Sequence, residues 1–443
     1  MKTIHTAALE SRFASEHLRG FDDVVAKVRK LFAEGTDLEL WDVRPDRFAR
    51  KHGLDATRTL KAFLHLTKAG IFDLNWTVHC PHCKGGAQES ASLAGLVRDS
   101  HCGLCHDDFE ANFDQNVELS FRSSPGVVTM DAVDPAVASM ASFELLPGIA
   151  MSLEPGEAHS LEYRFEPGNY ILGNWEQHSG VNFSVPDTAS QDGQSFELNH
   201  DETSSISSAH VKPGLLKLAI RNRSSAPQEF HLARIVPPSW VDGAMVSALQ
   251  EFRDLFTEEL LSPDQTFSIR NLALIFTDIK SSTEMYERLG DSKAFYLVQE
   301  HFKIMEEVVR ANAGGIVKTI GDAVMAVFYR PHDAMAAARD MIHRFDAFNA
   351  ERGTRDQIII KVGVHAGSCI AVTLNERLDY FGTSVNTAAR IQGLSDGRDV
   401  MVSERLFRES GAEALLGGWK QEHFVTSLKG LQGTQSVYKL YKE

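Results

Sequence analysis

Hydrophobic and polar positions follow two different periods along this chain. From about residue 126 to 240, apolar and polar residues alternate in short segments such as 161–165, 216–220 and 230–232. Alternation between turn-rich stretches is typical of strands and predicts an antiparallel β-sandwich. After it, apolar residues recur at spacings of three and four and predict one helix that Pro263 ends: Met245, Leu249, Phe252, Phe256 and Leu260. Such a stripe could pair with its twin in a dimer.

The pattern before residue 79 predicts helices. Segments 45–51 and 56–69 are joined through Gly53-Leu54-Asp55, where Asp55 is suited to cap the second helix. The pair resembles a helix-turn-helix, and seven cations make it basic: Arg44, Arg47, Arg50, Lys51, Arg58, Lys61 and Lys68. Such a stretch can bind DNA, but short helix pairs more often pack against neighbouring elements. We therefore do not expect DNA as a partner.

Four of the five cysteines form two Cys-x2-Cys pairs, Cys80 with Cys83 and Cys102 with Cys105, with 18 residues between the inner members. This spacing predicts a zinc ribbon with one structural Zn²⁺ per chain. Four flanking histidines could replace a thiolate: His79, His82, His101 and His106. A redox thiol pair is the alternative, while a disulfide framework is disfavoured in the cytosol. The fifth cysteine, Cys369, fits a buried strand position.

Two aspartates further along stand at the ends of apolar, strand-like runs. Asp278 follows the run 272–276, and Gly321-Asp322 separates two apolar segments as a hairpin turn would. If the hairpin packs beside the first strand, both carboxylates can share Mg²⁺ ions in one pocket. The alternative is that Asp278 only caps a helix starting near Ser282 and Asp322 only makes a turn.

A third polar element favours the metal interpretation. Asn386 and Arg390 are four residues apart on a predicted helix, so their side chains share one face. An amide that can bind sugar and a guanidinium that can bind phosphate suit a nucleotide substrate.

With these motifs in this order, residues 267–443 resemble the α+β, ferredoxin-like catalytic domain of class III nucleotidyl cyclases. The resemblance implies two Mg²⁺ or Mn²⁺ ions held by Asp278, Asp322 and the carbonyl of Ile279. It implies that a loop and a more distant lysine contact the triphosphate: Lys280, Ser281, Ser282, Thr283 and Lys429. It also implies that Lys318 and Asp379 bind the purine, that Asn386 orients the ribose, and that Arg390 stabilises charge in the transition state. In that family the two aspartates and the remaining site residues come from different subunits, so the resemblance implies a homodimer.

The choice of purine follows from hydrogen bonding. Lys318 only donates and Asp379 only accepts, which matches the N1 acceptor and N6 donor of adenine. Guanine presents the opposite pattern, and each mismatched group would cost roughly 1–3 kcal/mol. We therefore expect an adenylyl cyclase that converts ATP to 3′,5′-cyclic AMP and pyrophosphate. A guanylyl cyclase and a catalytically silent nucleotide-binding or DNA-binding regulator are the alternatives. His365, in the segment 358–365, is expected to be structural.

Length and composition suggest a multidomain protein. The 443 residues correspond to about three domains, and the formal net charge of −15 disfavours nonspecific nucleic-acid binding. No apolar run of 18 residues and no signal peptide are evident, which predicts a cytoplasmic protein without a membrane span. The predicted division is 1–78 (helical), 79–125 (zinc ribbon), 126–240 (β-sandwich), 241–266 (linker helix) and 267–443 (cyclase). This arrangement resembles bacterial soluble cyclases. We expect the linker helix to transmit an unidentified regulatory signal to the catalytic domains.

Overall fold

The computed structural model describes residues 2–81, 84–103, 107–130, 143–174, 179–201, 203, 206–235, 240–352 and 356–442. No helix within these ranges is long and apolar enough to cross a membrane. The chain opens with a short strand and five helices: β1 (Thr3–Ile4), α1 (Thr6–Phe13), α2 (Asp22–Glu34), α3 (Asp37–Trp41), α4 (Pro45–His52) and α5 (Ala56–Lys68). Short 3₁₀ turns follow α1 and, later, β3, at Glu16–Leu18 and Leu93–Gly95.

The predicted helix pair is confirmed in α4 and α5. Gly53 ends α4 with φ +64°, a left-handed conformation that glycine adopts without strain. The Asp55 carboxylate accepts the Arg58 backbone N–H at 2.7 Å and begins α5. One face of α5 is buried, including Leu60 and Phe63, so this helix packs into the protein core.

Five strands follow, of which three form a sheet in the order β3-β2-β6 and two form a separate pair: β2 (Phe72–His79), β3 (Gly86–Ser90), β4 (Asp99–His101), β5 (Asp108–Glu110) and β6 (Val117–Ser123). Glu118, which is 1% exposed, forms an ion pair with Arg44, whose Nη2 donates to Oε2 at 3.2 Å, and its Oε2 lies 2.6 Å from His79 Nε2. Burial alone would raise the pKa of Glu118, but Arg44 and His79 outweigh it and hold the pKa at about 2. This buried ion network joins α4 to the strands. A short strand, β7 (Val128–Thr129), then returns to pair with β1.

The next region is a two-sheet sandwich, with one sheet in the order β13-β11-β10-β15-β8 and the other in the order β12-β14-β9. Its strands are β8 (Phe143–Leu153), β9 (Ala158–Phe165), β10 (Gly168–Asn174), β11 (Ser179–Val185), β12 (Gln194–His200), β13 (Ile206–His210), β14 (Gly214–Asn222) and β15 (Gln228–Ile235). The prediction of a purely antiparallel sandwich is wrong in part. The chain alternates between the two sheets from β11 to β15, so β11/β13 and β12/β14 pair in parallel.

The predicted single linker helix is also wrong. The structure has two short helices, α6 (Gly243–Ser247) and α7 (Gln250–Leu255). Leu249 between them has an extended backbone, with φ −80° and ψ 133°. Leu249 and Phe252 are 3% and 2% exposed, so they pack within the chain and cannot form a stripe facing a twin helix. The spacing of apolar residues indicates which positions are buried but not what buries them. Here several neighbouring elements bury these residues, instead of one partner helix.

The C-terminal region is a mixed sheet with helices. Its elements are β16 (Phe267–Ile279), α8 (Ser282–Leu289), α9 (Asp291–Ala311), β17 (Gly314–Ile320), β18 (Ala323–Phe328), α10 (Pro331–Arg352), β19 (Ile360–Leu374), β20 (Arg377–Phe381), α11 (Thr383–Gln392), β21 (Asp399–Ser403), α12 (Glu404–Glu409), α13 (Ala412–Leu415), β22 (Lys420–Ser427) and β23 (Thr434–Tyr441). The sheet order is β17-β18-β16-β19-β21-β23-β22, and β20 pairs with the second half of β19. The first four strands are antiparallel, which confirms the predicted ferredoxin-like α+β arrangement.

The two faces of this sheet are covered by different parts of the chain. Helices α9 and α10 pack on the face that carries Ala273 and Ile275. The alternate residues of β16, including Leu272 and Leu274, belong to a core shared with α5, β2, β6 and the linker helices. In this core the Phe113 and Phe267 rings lie 5.7 Å apart. The N-terminal elements and the catalytic sheet therefore bury one continuous apolar core.

Candidate active site

The two predicted metal-binding aspartates lie close together where β16 ends and the β17/β18 turn begins. Asp278 is next to last in β16, and Asp322 lies in the turn between β17 and β18, where Gly321 has φ +64°. Asp322 Oδ2 accepts the Ile279 backbone N–H at 3.3 Å. Burial, and then the charge of Asp322, raise the pKa of Asp278. Two carboxylates that repel each other in a half-buried pocket are a donor set that fits divalent cations.

Lys361 is a residue that sequence reasoning missed. It stands opposite Asp278 in the β16/β19 ladder, and its charge lowers the pKa of that aspartate, against the two raising effects. It is the single cation in the apolar segment 358–364, which could have marked it as a site residue.

The predicted triphosphate loop connects β16 to α8. The Lys280 backbone N–H bonds the Ile359 carbonyl at 2.8 Å, which anchors the loop to the neighbouring chain segment. Ser281 has φ +54°, an uncommon conformation for a residue other than glycine. Ser282 and Thr283 form the first turn of α8. Backbone N–H groups at the start of a helix attract anions, so the loop suits a phosphate.

The predicted purine pair is in contact within one chain. Lys318 Nζ lies 2.6 Å from Asp379 Oδ2, although their strands, β17 and β20, are not neighbours in the sheet. The Asp379 side chain is 7% exposed and the Lys318 side chain 33%. The other oxygen of Asp379 accepts the Tyr380 backbone N–H at 2.7 Å. The lysine ammonium also lies 5.3 Å from the centre of the Phe381 ring. The Phe381 ring and the donor–acceptor pair of Lys318 and Asp379 therefore lie side by side, as a site for a flat, hydrogen-bonding base would require.

Asn386 and Arg390 lie on the exposed face of α11, as their spacing predicts. Among the described residues, no hydrogen bond or ion pair joins either one to the two aspartates. Lys429 is exposed in the turn between β22 and β23, and its neighbour Leu428 packs with Ile391 of α11. Asn386, Arg390 and Lys429 therefore form a second group of exposed polar residues, which makes no described contact with the predicted metal-binding aspartates.

Two histidines of the catalytic domain are largely buried. Burial lowers the pKa of His365 to about 4, so its imidazole is neutral at neutral pH, which agrees with a structural role. His301 in α9 is fully buried, and burial lowers its pKa to about 4 against the attraction of Asp322. The sequence gives no signal for His301, because a single histidine on an apolar helix face has no distinctive spacing.

Two of the four predicted zinc ligands can be located. Cys80 and Cys102 are both 0% exposed and pack together with Phe109. Cys83 and Cys105 lie outside the described residues, and the described part contains no group of three or more metal-ligand side chains. The backbone N–H of each located cysteine bonds the carbonyl of the residue five positions later, Cys80 to Gly85 and Cys102 to Asp107, each at 2.9 Å.

Comparison with known proteins agrees with this geometry. Residues 265–428 match the family model of the adenylate and guanylate cyclase catalytic domain. Residues 265–428 form a class III cyclase domain. The expectation drawn from the motifs is confirmed for this part of the chain. Residues 9–146 match a second model, a family of unknown function designated DUF5939.

Curated relatives match through segments of cyclase-domain size. An adenylate cyclase from Anabaena cylindrica is 30% identical over 155 residues, which are 32% of this chain and 31% of that protein. Adenylate cyclase 1 from Rhizobium meliloti is 30% identical over 149 residues, 30% of this chain and 22% of that protein. This chain therefore spans less than a third of the length of these relatives.

Solved structures with the cyclase fold also match. The adenylyl cyclase CyaB from P. aeruginosa is 20% identical, with a TM-score of 0.36, over 40% of this chain and 97% of that one. The guanylate cyclase domain of RhGC from Catenaria anguillulae, solved in complex with GTP, is 20% identical with a TM-score of 0.35, over 40% and 98%.

Proposed function

We propose that this chain is an adenylyl cyclase that converts ATP to 3′,5′-cyclic AMP and pyrophosphate. The observation that carries the proposal is the contact between Lys318 and Asp379, 2.6 Å apart. The two side chains are held where one purine edge could meet both. A lysine can only donate to adenine N1, and an aspartate can only accept from the N6 amine. The names of the relatives, adenylate cyclases, agree with this choice.

The same pair disfavours GTP. Guanine would place its N1–H donor where Lys318 donates and its O6 acceptor where Asp379 accepts, so neither side chain could bond the base. At roughly 1–3 kcal/mol for each unsatisfied group, the preference for ATP is about tenfold or more.

The roles of the remaining residues follow from their positions. Asp278, Asp322 and the Ile279 carbonyl would hold Mg²⁺ or Mn²⁺, the ions that class III cyclases use in general. When bound, these ions lower the pKa of the ribose 3′-hydroxyl and neutralise the triphosphate. The first turn of α8 and the side chains of Lys280 and Lys429 would bind the phosphates. Arg390 would stabilise the charge that develops as the 3′-oxygen attacks the α-phosphorus, and pyrophosphate leaves.

We propose that the enzyme is a homodimer with two shared sites. Asn386 and Arg390 are exposed on α11 and are not joined by contacts to the aspartates of their own chain. A two-fold pair could bring the α11 face of one subunit to the aspartates of the other. Each site would then use the metal-binding group of one chain and the purine, ribose and phosphate groups of its partner.

We also propose that the four cysteines bind one structural Zn²⁺ ion. Support comes from the burial of Cys80 and Cys102 in one cluster and from the backbone hydrogen bond that each makes to the residue five positions later. A tetrahedral thiolate site would join the two cysteine pairs. The N-terminal half, including the sandwich, would regulate the cyclase domain; the helices and the β2/β6 strands share a core with the catalytic sheet, which provides a direct contact, while the sandwich has a core of its own.

Cyclic nucleotide formation by the purified full-length chain tests the function. ATP and GTP are each offered with Mg²⁺ or Mn²⁺, and Asp322→Ala is the control because it removes one proposed metal ligand without touching the purine pair. We expect cyclic AMP from ATP, little product from GTP, and no product from the control. Faster turnover of GTP than of ATP would instead favour a guanylyl cyclase, and binding of nucleotide without product would favour a silent regulator.

A further inference from the structure

The purine pair depends on strands that the sheet does not join directly. Within the described ranges, Lys318 lies on β17, which pairs with β18 alone, and Asp379 lies on β20, which pairs with β19 alone. Two further strand pairings, β18/β16 and β16/β19, separate them. The ladder alone therefore leaves the spacing of the two side chains sensitive to twist and shear of the sheet. The linker helices α6 and α7 contact both strands.

Gln250 of α7 holds the Lys318 strand. Its Oε1 atom accepts the Ile316 backbone N–H at 2.6 Å, and its Nε2 donates to Asp254 at 2.8 Å. The register of β17 against β18 shifts between Ile316 and Lys318, so Val317 is an extra residue at this point. A bulge of this kind decides which way the following side chains face. Gln250, 7% exposed, thus fixes the backbone where the direction of Lys318 is set.

Arg253 of the same helix holds the Asp379 strand. Its Nη1 donates to the Leu378 carbonyl at 3.1 Å, and its Nε donates to the Ser247 carbonyl at 2.9 Å. The guanidinium lies 5.4 Å from the Tyr380 ring, and the Tyr380 hydroxyl donates to Ser247 Oγ at 2.8 Å. Leu378 and Tyr380, the two neighbours of Asp379, are therefore both held by α6 and α7. Arg253 is three residues after Gln250, so one short helix contacts the strands of both purine-pair residues.

We infer that Gln250 and Arg253 are positioning residues that set the spacing of Lys318 and Asp379 and so determine the affinity for ATP and its preference over GTP. The inference rests on the proposed adenylyl cyclase function. Adenine must meet a donor and an acceptor at fixed separation, and hydrogen bonds weaken steeply when distance or angle is wrong. Loosening either strand would change the separation of the two side chains and so weaken the bonds to adenine, whereas Asp278 and the phosphate-binding turn of α8 lie on other elements.

The inference differs from a role for the linker in the angle between two subunits, because both contacts lie within one chain. It also predicts a direction of regulation. Any movement of α7 relative to the sheet would change the purine pair first, so a regulatory signal that moves the linker would change KM for ATP more than kcat.

The test uses the full-length chain and Gln250→Met, which keeps the side-chain volume and removes the acceptor for Ile316. The matched control is Gln265→Met, because the Gln265 Oε1 atom accepts a backbone N–H in the same way, from Arg98 at 3.0 Å, away from the purine pair. If the variant weakens ATP binding by the free energy of about one hydrogen bond, KM for ATP should rise about fivefold, with a smaller change in kcat. The ratio of kcat/KM for ATP to that for GTP should fall, and the control should keep the wild-type ratio.

A second arm separates positioning from general destabilisation. Equilibrium binding of ATP and of GTP to each variant is measured by competition with a fluorescent ATP analogue, alongside thermal unfolding. In a Lys318→Ala background Gln250→Met should cause little further loss of ATP affinity, because a positioning residue acts through the lysine.

The arms can fail separately. Cyclic AMP production by the wild type tests the proposed function, while the change in relative ATP and GTP affinity tests the inference. Equal losses for the two nucleotides, or additive losses in the double variant, would mean that Gln250 only stabilises the fold and would overturn the inference. A wild-type chain that binds no ATP would overturn both.

Discussion

Replacing Asp242 with asparagine should stabilise the protein at high pH but not at low pH. Asp242 begins α6 and is 3% exposed. Its carboxylate accepts the Met245 backbone N–H at 2.8 Å and the Tyr329 hydroxyl, which links the linker helix to the end of β18. Burial raises the pKa of Asp242 to about 7, against these two hydrogen bonds, and the charge of Asp114 adds to the increase. In the Asp242→Asn variant the side-chain amide would keep the shape and the capping acceptor and would carry no charge.

The expected size follows from the change in pKa on folding. An unperturbed aspartate has a pKa of 3.8, so folding raises the value by about three units, which corresponds to about 4 kcal/mol. Because the folded-state pKa is the higher one, the native state loses stability as pH rises from about 4 to about 7. Above pH 7 the full cost of the buried charge remains. Asp242→Asn should therefore match the wild type near pH 4 and exceed its stability by up to about 4 kcal/mol at pH 8.

Urea unfolding at fixed protein concentration, from pH 5 to pH 8, measures the difference in the free energy of unfolding. Asp187→Asn is the control, because Asp187 is exposed and loses the same charge without any change in burial. A difference between Asp242→Asn and the wild type that stays constant over this range would refute the reasoning. So would a variant that is less stable than the wild type at pH 8.

Three further predictions concern the proposed site and the core. Asp278→Ala and Arg390→Ala should each abolish cyclase activity, and an equal mixture should recover about a quarter of it, because half of the dimers would hold one intact shared site; no recovery, with mixed dimers confirmed, would contradict shared sites. Elemental analysis should find close to one zinc per chain and less in Cys80→Ser, whereas metal-free protein with four titratable thiols would contradict the zinc proposal. Glu118→Gln should lower the free energy of unfolding by about 3 kcal/mol, because buried Arg44 would lose the nearer of its carboxylate partners and keep Asp42 at 3.3 Å; a loss below about 1 kcal/mol in a urea titration would show that Asp42 is enough to balance the charge of Arg44.

Local patterns predicted the secondary structure around the candidate site residues. The strand before Asp278, the turn at Asp322 and the shared face of Asn386 and Arg390 all depend on residues within a few positions of one another. Such features follow from alternation, turn preference and helix geometry. The contact between Lys318 and Asp379, 61 positions apart, was expected only through resemblance to the cyclase family.

Features fixed by distant parts of the chain were not predictable. The apolar stripe of the linker predicted one long helix, but its residues are buried by elements from both halves, and Leu249 is extended instead. The parallel strand pairs of the sandwich depend on the chain crossing between sheets, which leaves no mark in the alternation pattern. The contacts of Gln250 and Arg253 are invisible for the same reason, since neither residue belongs to a motif.

The core shared by the two halves has a consequence during synthesis. Phe113 leaves the ribosome about 150 residues before its partner Phe267, and the backbone N–H of Phe113 bonds the carbonyl of Ser268 at 2.8 Å. Until β16 and the linker are made, the part of the N-terminal core that packs on them stays uncovered. While the sandwich is being translated, we therefore expect this exposed apolar surface to make the nascent chain prone to association with other chains.

The same arrangement limits how the halves can be separated. A catalytic fragment that begins at residue 241 would lose the N-terminal elements that pack at the start of β16, where the Phe113 and Phe267 rings lie 5.7 Å apart, and would expose part of the shared core. Exposed apolar patches of this kind promote association between molecules. The N-terminal half thus covers apolar surface of the cyclase domain, and we expect either half expressed alone to be prone to aggregate.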